Sequence, residues 1–111
     1  MKRLALVWIW LTLVLTGCTK TSPANNLDDF AQCLTDKWVI MYGSVTCPHC
    51  QSQKAMFGSS FQYINYVECT KEFDRCANLK WVPTWEISSG NYLEWLQQLS
   101  TLATATTCKM Q

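Results

Sequence analysis

Cys47-Pro48-His49-Cys50 constrains this chain more than any other run of residues. Two cysteines with two residues between them open and close a disulfide without large backbone movement. The run before them, Trp38-Val39-Ile40-Met41-Tyr42-Gly43, is β-branched and aromatic and predicts a buried strand over 38–43. Residues 51–57 predict a helix, and Pro48 suits its first turn, where a missing N–H costs nothing. The motif therefore stands where a strand hands over to a helix. A helix N-terminus carries partial positive charge, which stabilises a thiolate on Cys47. The thiolate is the nucleophile of disulfide exchange. Cys47 is thus the expected attacking sulfur, and Cys50, one turn further in, the expected resolving one.

The remaining cysteines point to an oxidising compartment, and so does the N-terminus. Met1-Lys2-Arg3 is a short basic stretch, and residues 4–16 are uncharged and almost wholly apolar. Such a run is too short to span a bilayer as a helix and fits the apolar core of a signal peptide. It ends in Leu15-Thr16-Gly17-Cys18, which resembles a bacterial lipobox. That resemblance implies cleavage after residue 17 and a lipid on Cys18. The alternatives are an ordinary cleaved signal or a short retained anchor. Residues 19–26 are polar and read as a tether, leaving 27–111 as one domain. With Lys2 and Arg3 removed, the formal charge of +1 becomes −1. No basic surface suggests nucleic acid. Seven cysteines become six if Cys18 carries lipid, an even number suited to a small stapled domain outside the cytosol.

Along the domain, Leu27, Phe30, Ala31 and Leu34 recur at helical spacing, with Asp28 and Asp29 where carboxylates suit the dipole. A helix is expected over 27–35. A second strand is expected over 62–69, a short helix within 71–79, a third strand over 84–87, a turn at 88–91, a return strand over 92–95 and a last helix over 96–105. The order α-β-α-β-α-β-β-α is that of a thioredoxin-like α/β fold, a central mixed sheet flanked by helices.

In that fold the loop before the hairpin carries a cis proline packed on the CxxC, which assigns Val82-Pro83-Thr84 to substrate binding. An X–Pro bond accepts the cis form cheaply, and the flanking backbone pairs with an extended peptide. The alternative for Pro83 is an ordinary turn proline. His49 tunes the pair: a positive or hydrogen-bonding neighbour favours the thiolate, and a stabilised thiolate makes the disulfide an oxidant. Pro48-His49 is the dipeptide of strongly oxidising Dsb-type enzymes. A surface histidine without a role is the bland alternative. A different class of function is a copper or zinc carrier using Cys47, His49 and Cys50. Neither a second histidine nor a second CxxC is present to complete such a site. The buried carboxylate that many thioredoxins place beneath the pair is missing: Met41 precedes Cys47 by six residues, and no acid stands between Asp36 and Glu68. Proton transfer at Cys50 then falls to water or to Glu86, itself more in keeping with a solvated strand residue.

Cys33-Leu34-Thr35, Met41-Tyr42-Gly43, Cys47-Pro48-His49-Cys50-Gln51, Gln53-Lys54, Phe57-Gly58, Tyr63-Ile64-Asn65-Tyr66-Val67-Glu68-Cys69 and Pro83-Thr84-Trp85-Glu86 together resemble the thioredoxin-like domain fused to bacterial and plant vitamin K epoxide reductase homologues. The resemblance implies that electrons pass from secreted protein thiols to a membrane reductase and on to a quinone. No four-helix membrane segment stands in this sequence, so a vitamin K epoxide reductase-like or DsbB-like reductase is expected as a separate partner. Thr46 stands where the family usually has tryptophan, Trp81-Val82 where Gly-Tyr is common, and Trp95 where a glycine is expected. Trp81 and Trp85 offer an apolar docking surface, with core packing as the alternative, stronger for Trp85. The family also carries a cysteine pair near Cys69 and Cys76, either a structural staple or a second redox relay. Its late cysteine implies that Cys33 and Cys108 pair.

The expected function is an extracytoplasmic, lipid-anchored thiol–disulfide oxidoreductase that oxidises substrate thiols through Cys47 and Cys50 and needs no cofactor of its own. A disulfide reductase or isomerase is the alternative within the same chemistry.

Overall fold

The computed structural model describes residues 27–110. The expected signal, the lipidated Cys18 and the tether lie outside the described residues. Helix α1 (Leu27–Asp36) buries Phe30, Ala31 and Leu34 and keeps Asp28 and Asp29 in its first turn. It ends by donating Val39 N–H to Leu34 C=O and Trp38 N–H to Thr35 C=O. This is a Schellman ending with Trp38 in the left-handed position, at φ 62°. Trp38 is therefore a solvent-facing turn residue, and strand β1 (Ile40–Gly43) starts later than the sequence suggests.

Helix α2 (Pro48–Phe57) follows β1, and Gly58 closes it at φ 55°. The chain continues through a 3-10 turn over Gly58–Tyr63 into β2 (Asn65–Glu68), so residues 62–64 are not strand. Thr35 explains the late start: its hydroxyl donates to Tyr63 C=O and accepts from Asn65 N–H, fixing the entry of β2 against α1. Helix α3 (Phe73–Cys76) is a single turn. The hairpin is β3 (Thr84–Ser88) and β4 (Asn91–Glu94), and α4 (Leu99–Thr106) ends the domain. Residues 96–98 are not helical, and Gln98 is extended at φ −65° and ψ 145°.

The sheet order is β2-β1-β3-β4, with β1 parallel to β2 and antiparallel to β3. A four-stranded mixed sheet flanked by helices is the thioredoxin-like arrangement expected from the element order. Register decides which residues meet. Met41 lies opposite Tyr66 and Trp85, and Gly43 opposite Glu68, so these residues share the face that α1, α2 and α4 cover. Tyr42 and Glu86 share the other face, where the Tyr42 hydroxyl donates to Glu86 at 2.7 Å. The core is Phe30, Leu34, Met41, Phe57, Trp85 and Leu102, all fully buried. Trp85 packs on Phe57 at 5.9 Å between ring centroids. It is a core residue and takes no part in a docking surface.

One polar side chain is built into that core. Gln53 is fully buried on α2. Its Oε1 accepts from Trp85 Nε1 at 3.0 Å and from Gln97 N–H at 2.7 Å, and its Nε2 donates to Gln97 C=O at 3.1 Å. This satisfies the buried tryptophan N–H and ties the residue 97 N–H and C=O to Gln53 instead of to a helix, which delays α4. Disulfides join Cys33 to Cys108 and Cys69 to Cys76.

Candidate active site

Cys47 is the N-cap of α2, in extended backbone at φ −92° and ψ 117°. Its Sγ accepts from Cys50 N–H at 3.3 Å, so an amide of the first turn points at the sulfur. A donated N–H of this kind is a better partner for a thiolate than for a thiol. Cys47 is half-buried, whereas Cys50 is fully buried, and both sulfurs are free thiols. Burial, and then the hydrogen bond with Cys47, pushes the Cys50 thiol up from 9.0 to about 12. The two sulfurs are chemically unlike: one faces solvent at a helix start, and one is held as a buried thiol.

The loop before the motif is braced from within. Ser44 and Thr46 share a hydroxyl–hydroxyl hydrogen bond of 2.9 Å, Thr46 N–H donates to Ser44 Oγ, and Cys47 N–H donates to Ser44 C=O. Thr46 thus anchors the approach to the two cysteines.

Val82–Pro83 is cis. The Val82 carbonyl lies 3.6 Å from Cys47 Sγ, with the thiol donating. Thr84 Oγ1 donates to Trp81 C=O at 2.7 Å, and Trp95 N–H donates to Pro83 C=O at 2.8 Å, so the loop is tied at both ends. Val82, Pro83 and Thr84 therefore come together with Cys47 although far from it in sequence. Trp81 stacks on Trp95 at 5.0 Å, and Trp95 meets the edge of His49 at 6.2 Å. Each tryptophan is about half exposed, at 50% and 45%. Together they form an apolar wall beside the Cys47–Cys50 pair. Trp95 replaces Trp85 in that wall, a pairing hidden in the sequence because the two residues meet across the loop.

A cleft of about 360 Å³ opens on the other side of Val82, lined by Ser44, Trp81, Phe73 and the Cys69–Cys76 disulfide. That disulfide is thus close to the site, while Cys33–Cys108 lies in the core cluster at the far end of α1. Among the described residues no three His, Cys, Asp or Glu side chains converge as a metal-binding group.

Beneath the pair the sheet presents Tyr66 and Glu68. The Tyr66 hydroxyl donates to Glu68 Oε1 at 2.9 Å, and Lys54 Nζ lies 4.1 Å from the Tyr66 ring centroid. Burial raises the Glu68 carboxyl, but hydrogen bonds from Thr70, Tyr66 and the Val45 amide outweigh it and hold Glu68 below the usual carboxylate range. Tyr66 belongs to no motif of its own; its signal in the sequence is that Tyr66 and Glu68 fall two apart on a strand that pairs with the one leading into the CxxC. Glu86, the acid that the sequence offers as a proton partner besides water, hangs on the opposite face with Tyr42.

No family model matches the chain. A curated relative is the thiol-disulfide oxidoreductase LTO1 of Arabidopsis thaliana, 41% identical over 59 aligned residues. The match takes in 43% of this chain and 16% of the relative, so it concerns a small part of that protein.

Proposed function

We propose that this protein is an extracytoplasmic thiol–disulfide oxidoreductase that oxidises secreted protein thiols. The observation that carries the reading is the inequality of the two sulfurs: Cys47 at a helix N-terminus facing the cis-proline loop, and Cys50 buried behind it. The similarity to part of a plant thiol-disulfide oxidoreductase supports the same chemistry. In the oxidising direction a substrate thiolate attacks Cys47 Sγ of the Cys47–Cys50 disulfide. The S–S bond breaks and Cys50 leaves with the electron pair. A second substrate thiolate attacks the mixed disulfide, the substrate departs oxidised, and the protein keeps two electrons as two thiols. A membrane reductase linked to quinone, of the vitamin K epoxide reductase or DsbB kind, removes them. The peptide lies along Val82-Pro83-Thr84, and a lipid on Cys18 holds the domain at the outer face of a bacterial membrane.

The test is the reduction potential of the full chain equilibrated against glutathione. The expected value is about −120 to −180 mV, the range of oxidases and isomerases. A value near about −270 mV would assign a thioredoxin-like reductant and overturn the oxidising direction. Cys47→Ser is expected to abolish exchange with retained folding. Metal lost with that residue, and no exchange in the parent chain, would favour the carrier instead.

A further inference from the structure

Every turnover at Cys47 moves a proton at Cys50. When a substrate thiolate opens the disulfide, Cys50 leaves as a thiolate in a fully buried position. Burial gives that sulfur a high proton affinity, so it takes up one proton. In reverse, Cys50 gives up that proton as its sulfur attacks the mixed disulfide. The strand position six residues before Cys47 holds Met41, which has no proton to exchange, and Glu86 is on the wrong face.

Tyr66 faces Cys50 from the sheet, with Gly43 between them. A Cβ on Gly43 would sit 3.3 Å from Cys50 Sγ and 3.2 Å from Tyr66 Oη. The Tyr66 ring and the Cys50 sulfur both close on the bare Cα of Gly43, with Tyr66 Cε2 3.0 Å from where a Cβ would stand, so the missing side chain is what lets the two approach each other there. The hydroxyl is held by Glu68 Oε1, while Glu68 Oε2 accepts from the amide and hydroxyl of Thr70 near the surface. Lys54, one turn beyond Cys50 on α2, lies over the Tyr66 ring. The titratable and charged groups around Cys50 are thus Cys47 and Lys54 from α2, and Tyr66 and Glu68 from β2.

We propose that Tyr66, oriented by Glu68, is the proton relay between the buried Cys50 sulfur and solvent, with Lys54 offsetting the charge of the transient thiolate. In the oxidising direction Tyr66 hands its hydroxyl proton to Cys50 and recovers one from water at the Glu68 end. Tyr66 ends unchanged, and the net transfer is one proton from solvent to sulfur. The reducing direction runs the same path backwards. The inference rests on the redox reading of Cys47 and Cys50.

The test reacts the reduced full chain with a chromogenic aromatic disulfide. The first thiolate is released as Cys47 attacks and the second as Cys50 resolves. In Tyr66→Phe the first phase is expected to be unchanged and the second to slow by about 100-fold near neutral pH. The second phase should recover with rising pH or with added imidazole, a rescue that a purely structural defect would not show. Glu68→Gln, which keeps the hydroxyl, should slow the second phase less. A second phase in Tyr66→Phe within about twofold of the parent, with the same pH profile, overturns the relay. The parent chain also decides alone, should that variant fail to fold: a solvent deuterium effect on the second phase and not the first is expected, and equal effects overturn the relay. A parent chain that releases no second thiolate overturns the redox reading itself, a result distinct from normal resolution beside an unaffected Tyr66→Phe.

Discussion

Trp95 holds a backbone angle that a side chain resists. Its φ is 72°, in the left-handed region, where a Cβ costs about 1–2 kcal/mol. The glycine implied there by family resemblance has a physical reason in that angle. In return the indole stacks on Trp81 and reaches His49. Trp95→Ala keeps the angle and loses the stack; Trp95→Gly loses the stack and relieves the angle. Glycine should therefore be the more stable of the two by about 1 kcal/mol in chemical denaturation, and alanine equal to or above glycine would contradict the account. Cys50 makes a second prediction. Its folded value of about 12 exceeds the ordinary 9.0. The proton is bound more tightly in the folded state, so the stability it contributes is complete below about pH 9 and is lost as pH rises towards about 12. Tyr42, raised from 10.0 to about 12 by burial and by its bond to Glu86, adds to the alkaline loss in both redox states. The reduced protein should thus lose more stability than the oxidised one over that window, and Cys50→Ala, which has neither the thiol nor the disulfide, should show the smaller alkaline loss of the oxidised form. Melting curves of both forms at several alkaline pH values provide the check.

The helices and strands were readable wherever their causes are local. The apolar spacing of α1, the β-branched run of β1 and the Pro48 start of α2 all act within a few residues. Ends set by distant partners were not. Residues 96–98 carry good helix formers, yet Gln53 takes both the N–H and the C=O of Gln97 and keeps them out of a helix. Residues 62–64 look like strand, yet Thr35 fixes them in a turn. Trp38 gives no sign of a helix stop because glycine usually takes that position. Gln53 carries the prediction that belongs here. Gln53→Ala strands a buried tryptophan N–H and a backbone amide, and should cost roughly 2–4 kcal/mol. Denaturation measures it, and a loss below about 1 kcal/mol would show that water replaces the amide.

Two covalent links act on very different lengths of the chain. Cys33–Cys108 spans 75 positions and ties α1 to the segment after α4, whereas Cys69–Cys76 spans 7. Chain-entropy reasoning gives roughly 4 kcal/mol for the long link and roughly 2 kcal/mol for the short one. Cys33→Ser with Cys108→Ser should therefore destabilise more than Cys69→Ser with Cys76→Ser. The reverse order in denaturation would mean that the short disulfide supports the cleft beside Val82 as well as its own loop. The residues alone were enough to state the layering, the order of elements and the position of the CxxC at a helix start, because periodicity, turn chemistry and a two-residue spacing are local properties. They were silent on the tryptophan wall, on Gln53 and on Tyr66 facing Cys50. Each of those depends on register between strands or on a side chain crossing from one element to another, and such contacts exist only once the sheet is assembled and the helices lie on it.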